Sequence, residues 1–293
     1  MNIVQITDGL GNQLFQYAFA LALQKATGRE VMLDRSWFPE FGNKLRKATP
    51  RAWAIGVYSL RLPIVSPKFT NEIIYGKPGI IASLHRLLHK RKGLIKADRL
   101  PNPFDCPDSK VLKGFFQKAA YIQPVRDEIL ADTTLNEEKL NQANKEMLQQ
   151  IRSASPKAAV MVHIRRGDYV SENHINVFGV CPPEYYARAE ALIAQKTGKP
   201  LHLFIFSDDP EWVKENYKTE HEFTCVDINT GADGYLDINL MRHCNHAIIA
   251  NSSFSWWGAY LISSHDKVVV APERWRADNH DVSGLIPEDW YLC

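Results

Sequence analysis

The sequence predicts an α/β protein whose strands run parallel beneath layers of helix. Three observations predict it. Short apolar runs alternate with stretches of helical spacing from Lys157 onward. The run Ala158-Ala159-Val160-Met161-Val162 is apolar at every position, as a strand covered on both faces must be. The first residues read strand, turn, helix, strand, the opening of a Rossmann-like half.

The elements follow in order. Ile3 to Ile6 reads as a strand and Gly9-Leu10-Gly11-Asn12 as a turn. A helix comes next, with Leu14, Phe15, Ala18, Phe19, Ala22 and Leu23 on one face and Gly28 ending it. Val31 to Leu33 is a second strand. Prolines at 39, 50, 63, 67, 78, 101, 103 and 107 break up the next stretch. Only a helix over 79–92 is read there, and no strand is placed. Helices are expected from Pro124 to Ile129 and from Glu137 to Ile151, with Ser153-Ala154-Ser155-Pro156 as a linker. Strand 158–164 opens the second half. Pro182-Pro183 starts a helix ending near Gly198. Strand Leu201–Phe206, a short helix through Tyr217 and strand Phe223–Asp227 follow. Helix Tyr235–Cys244, strand Ala247–Ala250, helix Phe254–Ile262 and strand Lys267–Ala271 complete the alternation. The expected domains are 1–152 and 157–275, with 276–293 as a tail.

At 293 residues the chain has room for two domains of roughly 100–200 residues each. Its 45% hydrophobic and 23% charged content suits a large core. A net charge of +2 argues against a general nucleic-acid binder. Cys106, Cys181, Cys225, Cys244 and Cys293 form no C-x-x-C pair and are odd in number, which fits a reducing cytosol without disulfides. Met1 to Ile6 has neither a basic region nor a long apolar stretch, so it reads as a strand and not a signal peptide. No apolar run reaches the about 20 residues of a membrane span. Without a secretory signal the sequon Asn251-Ser252-Ser253 is read as chance.

The densest chemistry is His163-Ile164-Arg165-Arg166-Gly167-Asp168-Tyr169, directly behind the apolar run. In open α/β sheets, ligands bind at the carboxyl ends of the strands. The planar guanidinium grips phosphate oxygens in pairs, so Arg165 and Arg166 point to a phosphorylated ligand. Ser252, Ser253, Phe254 and Ser255 join a strand to a helix. Free N–H groups at a helix start bind anions, though a serine there is also an ordinary N-cap. Asp237 lies early in its helix, where the dipole alone favours an acid. The functional reading is a carboxylate accepting guanine's N1–H and exocyclic amine, with His163 at the same nucleoside or simply structural. Asp208-Asp209 is read as a helix cap in preference to a metal site. His243, Cys244 and His246 fit no zinc spacing; the cysteine is read as core and the histidines as surface. Trp256 and Trp257 are read as core. Gly9, Gly11, Asn12 and Gln13 lack the full dinucleotide signature. Asn12 and Gln13 are candidates to hydrogen-bond a sugar, against a tight turn that needs no ligand. The basic run His85–Arg99 is a solvated face, with weak membrane-surface contact as its other reading.

Three separated motifs together resemble the α-1,2-fucosyltransferases of glycosyltransferase family 11. They are Asp8-Gly9-Leu10-Gly11-Asn12-Gln13-Leu14-Phe15-Gln16-Tyr17-Ala18, His163 through Tyr169, and Asp237-Ile238-Asn239-Leu240-Met241 with Asn251 through Gly258. The resemblance implies a GT-B fold, two Rossmann-like domains facing a cleft. It implies GDP-β-L-fucose as donor, a galactose-terminated oligosaccharide or glycolipid as acceptor, and inversion with no metal or other cofactor. It places Arg165 at the pyrophosphate, His163 and Asp237 at the guanosine, and Ser252 to Ser255 in a phosphate loop. The N-terminal motif would face acceptor and fucose. Asp168 is the candidate base, or a structural partner of Arg166. Asp8 departs from the family's usual glycine and needs an unusual backbone angle, which aspartate tolerates. A cytoplasmic enzyme, peripheral at the inner face of the membrane, is expected. The alternatives are peptide O-fucosylation and a non-catalytic nucleotide-sugar or glycan-binding protein.

Overall fold

The computed structural model describes residues 1–38, 51–77, 79, 92–172, 174–278 and 280–293. The helix expected over 79–92 falls outside them apart from its two end residues. The chain divides into two compact units, Met1–Thr133 and Thr134–Cys293.

In the first unit, β1 (Asn2–Gln5) leads into α1 (Leu10–Thr27) and β2 (Val31–Asp34). β3 (Ile64–Val65), α2 (Pro67–Tyr75), β4 (Leu94–Lys96) and β5 (Val111–Lys113) follow, then α3 (Ala119–Ile122) and α4 (Arg126–Asp132). The five strands lie in the order β3-β2-β1-β5-β4, all parallel. α1 is buried all round from Gln13 to Leu23, beyond the single apolar face its spacing predicts. One reason is Phe19, whose ring stacks on Phe116 at 3.8 Å. Gly28 ends the helix at φ 67, its N–H bonded to the Gln24 carbonyl.

In the second unit, α5 (Gln142–Arg152) precedes β6 (Ala158–Ile164), α6 (Pro183–Thr197), β7 (Leu201–Ser207), α7 (Pro210–Asn216) and β8 (Glu222–Val226). α8 (Gly234–Met241), β9 (His246–Ile248), α9 (Ser253–Tyr260), β10 (Val269–Ala271) and β11 (Tyr291–Leu292) complete it. The six strands lie in the order β11-β10-β9-β6-β7-β8, again all parallel. Every residue of β6 is buried. Val160, Val162, Ile205 and Ile248 meet Ala189 and Ile193 of α6 in one core cluster. Trp256 and Trp257 are fully buried, as expected.

Two expectations are corrected here. The boundary lies at Thr133, not at 152, because α5 packs on α8 and bonds to the second unit through Asn144. His246 is 4% exposed, not a surface residue: it sits in β9, and its Nδ1 accepts the Val268 N–H at 3.0 Å. The tail belongs to the second unit. β11 pairs with β10, and the Trp256 indole donates to the Leu285 carbonyl at 2.9 Å. All five cysteines are free. No helix among the described residues is long and apolar enough to cross a membrane. Lys92, Lys96 and Arg99, from the described end of the basic run, are exposed.

Candidate active site at the ends of the second sheet

β6 and β7 pair in register up to Ile164 opposite Ser207, so Arg165 and Asp208 leave the sheet side by side. Arg165 bonds Asp168 at 2.5 Å and Asp208 at 2.8 Å, and its guanidinium lies 5.2 Å from the Tyr169 ring centre. Its Nε is buried and has no hydrogen-bond partner. A buried donor without an acceptor is costly, and an anionic oxygen would satisfy it. Asp208 also accepts the Arg166 N–H at 2.9 Å. A Cβ on Gly167 would come within 2.2 Å of that same carboxylate, so only glycine leaves room for it.

Arg166 turns elsewhere. It bonds Asp209 at 3.1 Å and stacks 4.0 Å over the Trp212 ring, committing it to the start of α7. Asp209 caps that helix by accepting the Trp212 N–H at 3.3 Å, as its position before Pro210 predicts. Asp168 therefore partners Arg165, where the structural alternative expected for it named Arg166.

The serine turn reaches this cluster through Tyr169, whose hydroxyl donates to the Asn251 carbonyl at 3.4 Å. Asn251 is buried, and its amide holds the carbonyls of Phe178 at 2.9 Å and Trp275 at 3.1 Å. Ser252 is the N-cap of α9, accepting the Phe254 N–H at 3.3 Å. The Ser255 hydroxyl is fully buried and spent on the carbonyls of Ala250 and Ser252. The hydroxyl shapes the turn, so only the Ser255 backbone N–H is left to serve the expected phosphate loop. Ser253 opens α9, and amides in the first turn of a helix are groups of the kind that bind anions.

Phe254 links the turn to the remaining members. His163 packs 5.5 Å from its ring, and a Cβ on Gly234 would lie 3.2 Å from it. His163 is buried, and that burial, with Arg165 nearby, pushes its imidazole down to about 3. The ring is therefore neutral at physiological pH, and its Nδ1 has no hydrogen-bond partner. One helical turn beyond Gly234 stands Asp237. Its Oδ1 accepts from the Asn229 amide at 2.8 Å. Burial raises the Asp237 carboxyl to about 7 against the opposing pull of that bond, with Asp233 adding to the rise.

The N-terminal motif is a separate construction in the first unit. Asp8 takes φ 67, the left-handed angle expected of it. Gly9 is the N-cap of α1, and Gly11 is buried within the helix. Asn12 accepts from the Gln117 amide at 2.7 Å. Gln13 donates to the carbonyls of Asp8 and Ala52 and accepts the N–H groups of Ala54 and Ile55. It is wholly buried, so it organises the 52–55 loop and offers no group to a sugar.

The structure sets His163 and Arg165 at the end of β6, the serine turn at the start of α9 and Asp237 on α8. Sequence reasoning missed Asp208, Asn229 and Asn251 as supporting residues. The adjacency of β6 and β7 was the signal for Asp208, because neighbouring parallel strands deliver their next residues to the same edge.

The model of a family described as "Glycosyl transferase family 11" matches residues 97–291. An Escherichia coli protein named O-antigen biosynthesis glycosyltransferase WbnK is 32% identical, over 97% of this chain and 98% of its own length. An Escherichia coli alpha-1,2-colitosyltransferase is 30% identical, over 98% and 97%. The Bos taurus galactoside alpha-(1,2)-fucosyltransferase 1 is 26% identical, over 86% of this chain and 63% of its own length.

Proposed function

Because the chain belongs to glycosyltransferase family 11, we propose that this glycosyltransferase moves L-fucose from GDP-β-L-fucose to the 2-hydroxyl of a terminal β-galactoside, inverting the anomeric carbon. The supporting observation is the unbroken series Arg165–Tyr169–Asn251. It joins a guanidinium with a buried, partnerless Nε to the start of α9. Relatives named as α-1,2 colitosyl- and fucosyltransferases support the linkage.

As fucose departs it becomes cation-like, and negative charge gathers on the β-phosphate of GDP. Arg165 and the first-turn amides of α9 oppose that charge. Each such preorganised donor lowers a barrier by about 2.7–4 kcal/mol. No metal is needed for this role in the proposal. Asp237 accepts guanine's two adjacent N–H donors, and neutral His163 borders the nucleoside. The acceptor 2-hydroxyl attacks the anomeric carbon as the bond to GDP breaks, and Asp168, which also anchors the Arg165 guanidinium, is the candidate to take its proton.

The test is GDP release from GDP-fucose with lactose, with a β1,3-linked galactoside and without acceptor, each with and without EDTA. Acceptor-dependent release unaffected by EDTA is expected, with an α-1,2 linkage in the product. Release from no galactoside would overturn the reading in favour of a binding protein. The colitosyltransferase relative makes GDP-colitose, which lacks the 3-hydroxyl of fucose, the second donor to try. A higher kcat/KM with it would reassign the donor and leave the site chemistry as described.

A further inference from the structure

Asp237 is not held by its own helix alone. The Asn229 amide donates to its Oδ1 at 2.8 Å and also donates to the Asn144 side-chain carbonyl at 3.0 Å. The Asn144 amide returns a bond to the Asn229 carbonyl at 2.8 Å. The two amides thus face each other in a reciprocal pair. Asn144 has no freedom left, because its Nδ2 also reaches Asn141 Oδ1 at 2.9 Å and the residue is fully buried. The pair settles which end of Asn229 points at Asp237: reversing the amide would set its one carbonyl oxygen against both the Asn144 carbonyl and the Asp237 carboxyl. α5, which precedes the sheet, thereby braces a carboxyl on α8.

We propose that Asn229, locked by Asn144, is a positioning residue for Asp237, and that this brace sets the preference for a base presenting two adjacent N–H donors. The inference rests on the proposed role of Asp237 and adds the residues that fix its plane. A carboxylate satisfies two parallel donors only when its plane coincides with theirs. An Asp free to rotate would keep one contact and lose the other. The brace therefore acts on the difference between guanine, with N1–H and an exocyclic amine, and hypoxanthine, with N1–H alone.

The experiment measures binding of GDP and IDP to the full chain by calorimetry at fixed pH, for the wild type, Asn229→Ala and Asn144→Ala. The wild type is expected to favour GDP by about tenfold or more. Each variant is expected to lose GDP affinity by about tenfold while IDP changes little, so the ratio closes toward one. A merely structural loss would weaken both nucleotides equally and would overturn the proposal. So would an unchanged ratio in a variant whose circular dichroism matches wild type. Asn229 is only partly buried, so its variant keeps the test intact should Asn144→Ala fail to fold. A wild type that binds neither nucleotide would instead overturn the proposed function, and this inference with it. A wild type that favours GDP, with variants that do the same, overturns the inference alone.

Discussion

Arg165 and Asp208 stand 2.8 Å apart at the ends of adjacent parallel strands, and the same carboxylate accepts the Arg166 backbone N–H. One aspartate therefore orients the guanidinium and pins the backbone that carries it. With Asp168 on the other side, the Arg165 side chain is aimed before any ligand arrives. Preorganisation of this kind is what electrostatic catalysis requires.

Removing that guanidinium should be severe and local. Arg165→Ala is expected to lower kcat by about 10²–10³-fold. Arg165→Lys should recover only part of the loss, because an ammonium is a point charge and not a planar fork. Steady-state kinetics check both, beside a thermal melt that should remain cooperative. Near-normal turnover in Arg165→Ala would show that the charge on the leaving diphosphate is met elsewhere.

Gly167→Ala tests the Asp208 contact from the other side. The added methyl would lie 2.2 Å from Asp208 Oδ2, so that oxygen must withdraw from the Arg165 guanidinium it pairs with. Overpacking of this kind costs about 1–3 kcal/mol, readable as a lower urea midpoint. Turnover should fall further than stability does, since Arg165 loses its partner. Unaltered kinetics would mean that Asp208 does not aim the arginine.

Asp237 imposes a pH dependence whose sign is set. Its carboxyl stands at about 7 in the folded protein against an ordinary 3.8, so between those values the folded chain holds a proton that the unfolded chain has released. That contribution to stability is complete at low pH and is lost as pH rises through about 7. GDP binding runs the opposite way, because the ionised carboxylate is the form that accepts the guanine donors. Affinity should rise up to about tenfold per pH unit below 7 and level off above it. His163, already neutral, adds nothing across that window. Asp237→Asn in the same buffers removes the slope and subtracts the titration of the nucleotide's own phosphate. A slope that persists in that variant belongs to another group.

Gln13 separates structure from chemistry in the N-terminal motif. Gln13→Ala removes the partner of the Ala54 and Ile55 N–H groups and of the Asp8 and Ala52 carbonyls. Of these the Ile55 N–H is buried, and an unmet buried polar group costs about 1–3 kcal/mol, so the urea midpoint should drop. The GDP dissociation constant, set in the second unit, should stay at its wild-type value. A weaker GDP complex with undiminished stability would return Gln13 to the ligand side.

The second unit was legible in the sequence because β6 and β7 are mostly apolar and α6 starts on proline and ends at Gly198. β6 and the Asp209 cap appear where the residues place them. β3, β4 and β5 were not legible. They are two or three residues long, too short to show a period, and lie among prolines. The site was readable where one short segment carried several groups, as from His163 to Asp168. It was unreadable where partners come from distant segments. Asp208 reaches Arg165 and Asn144 reaches Asn229 only through strand order and helix packing, which spacing along the chain does not encode. His246 was misread because a polar residue in a three-residue strand resembles a loop until its Nδ1 is seen to accept a main-chain N–H.

In the first unit the innermost strand is also the first to be made. β1 needs β2 on one side and β5 on the other, and Ile3 meets Val111 only after the intervening chain exists. At roughly 5–20 residues per second, translation leaves that edge open for roughly five to twenty seconds. A nascent chain halted before Val111 would carry an apolar strand with one side bare, a natural target for chaperones. The completion of this unit is thus timed by the ribosome as much as by the chain's own search for its contacts.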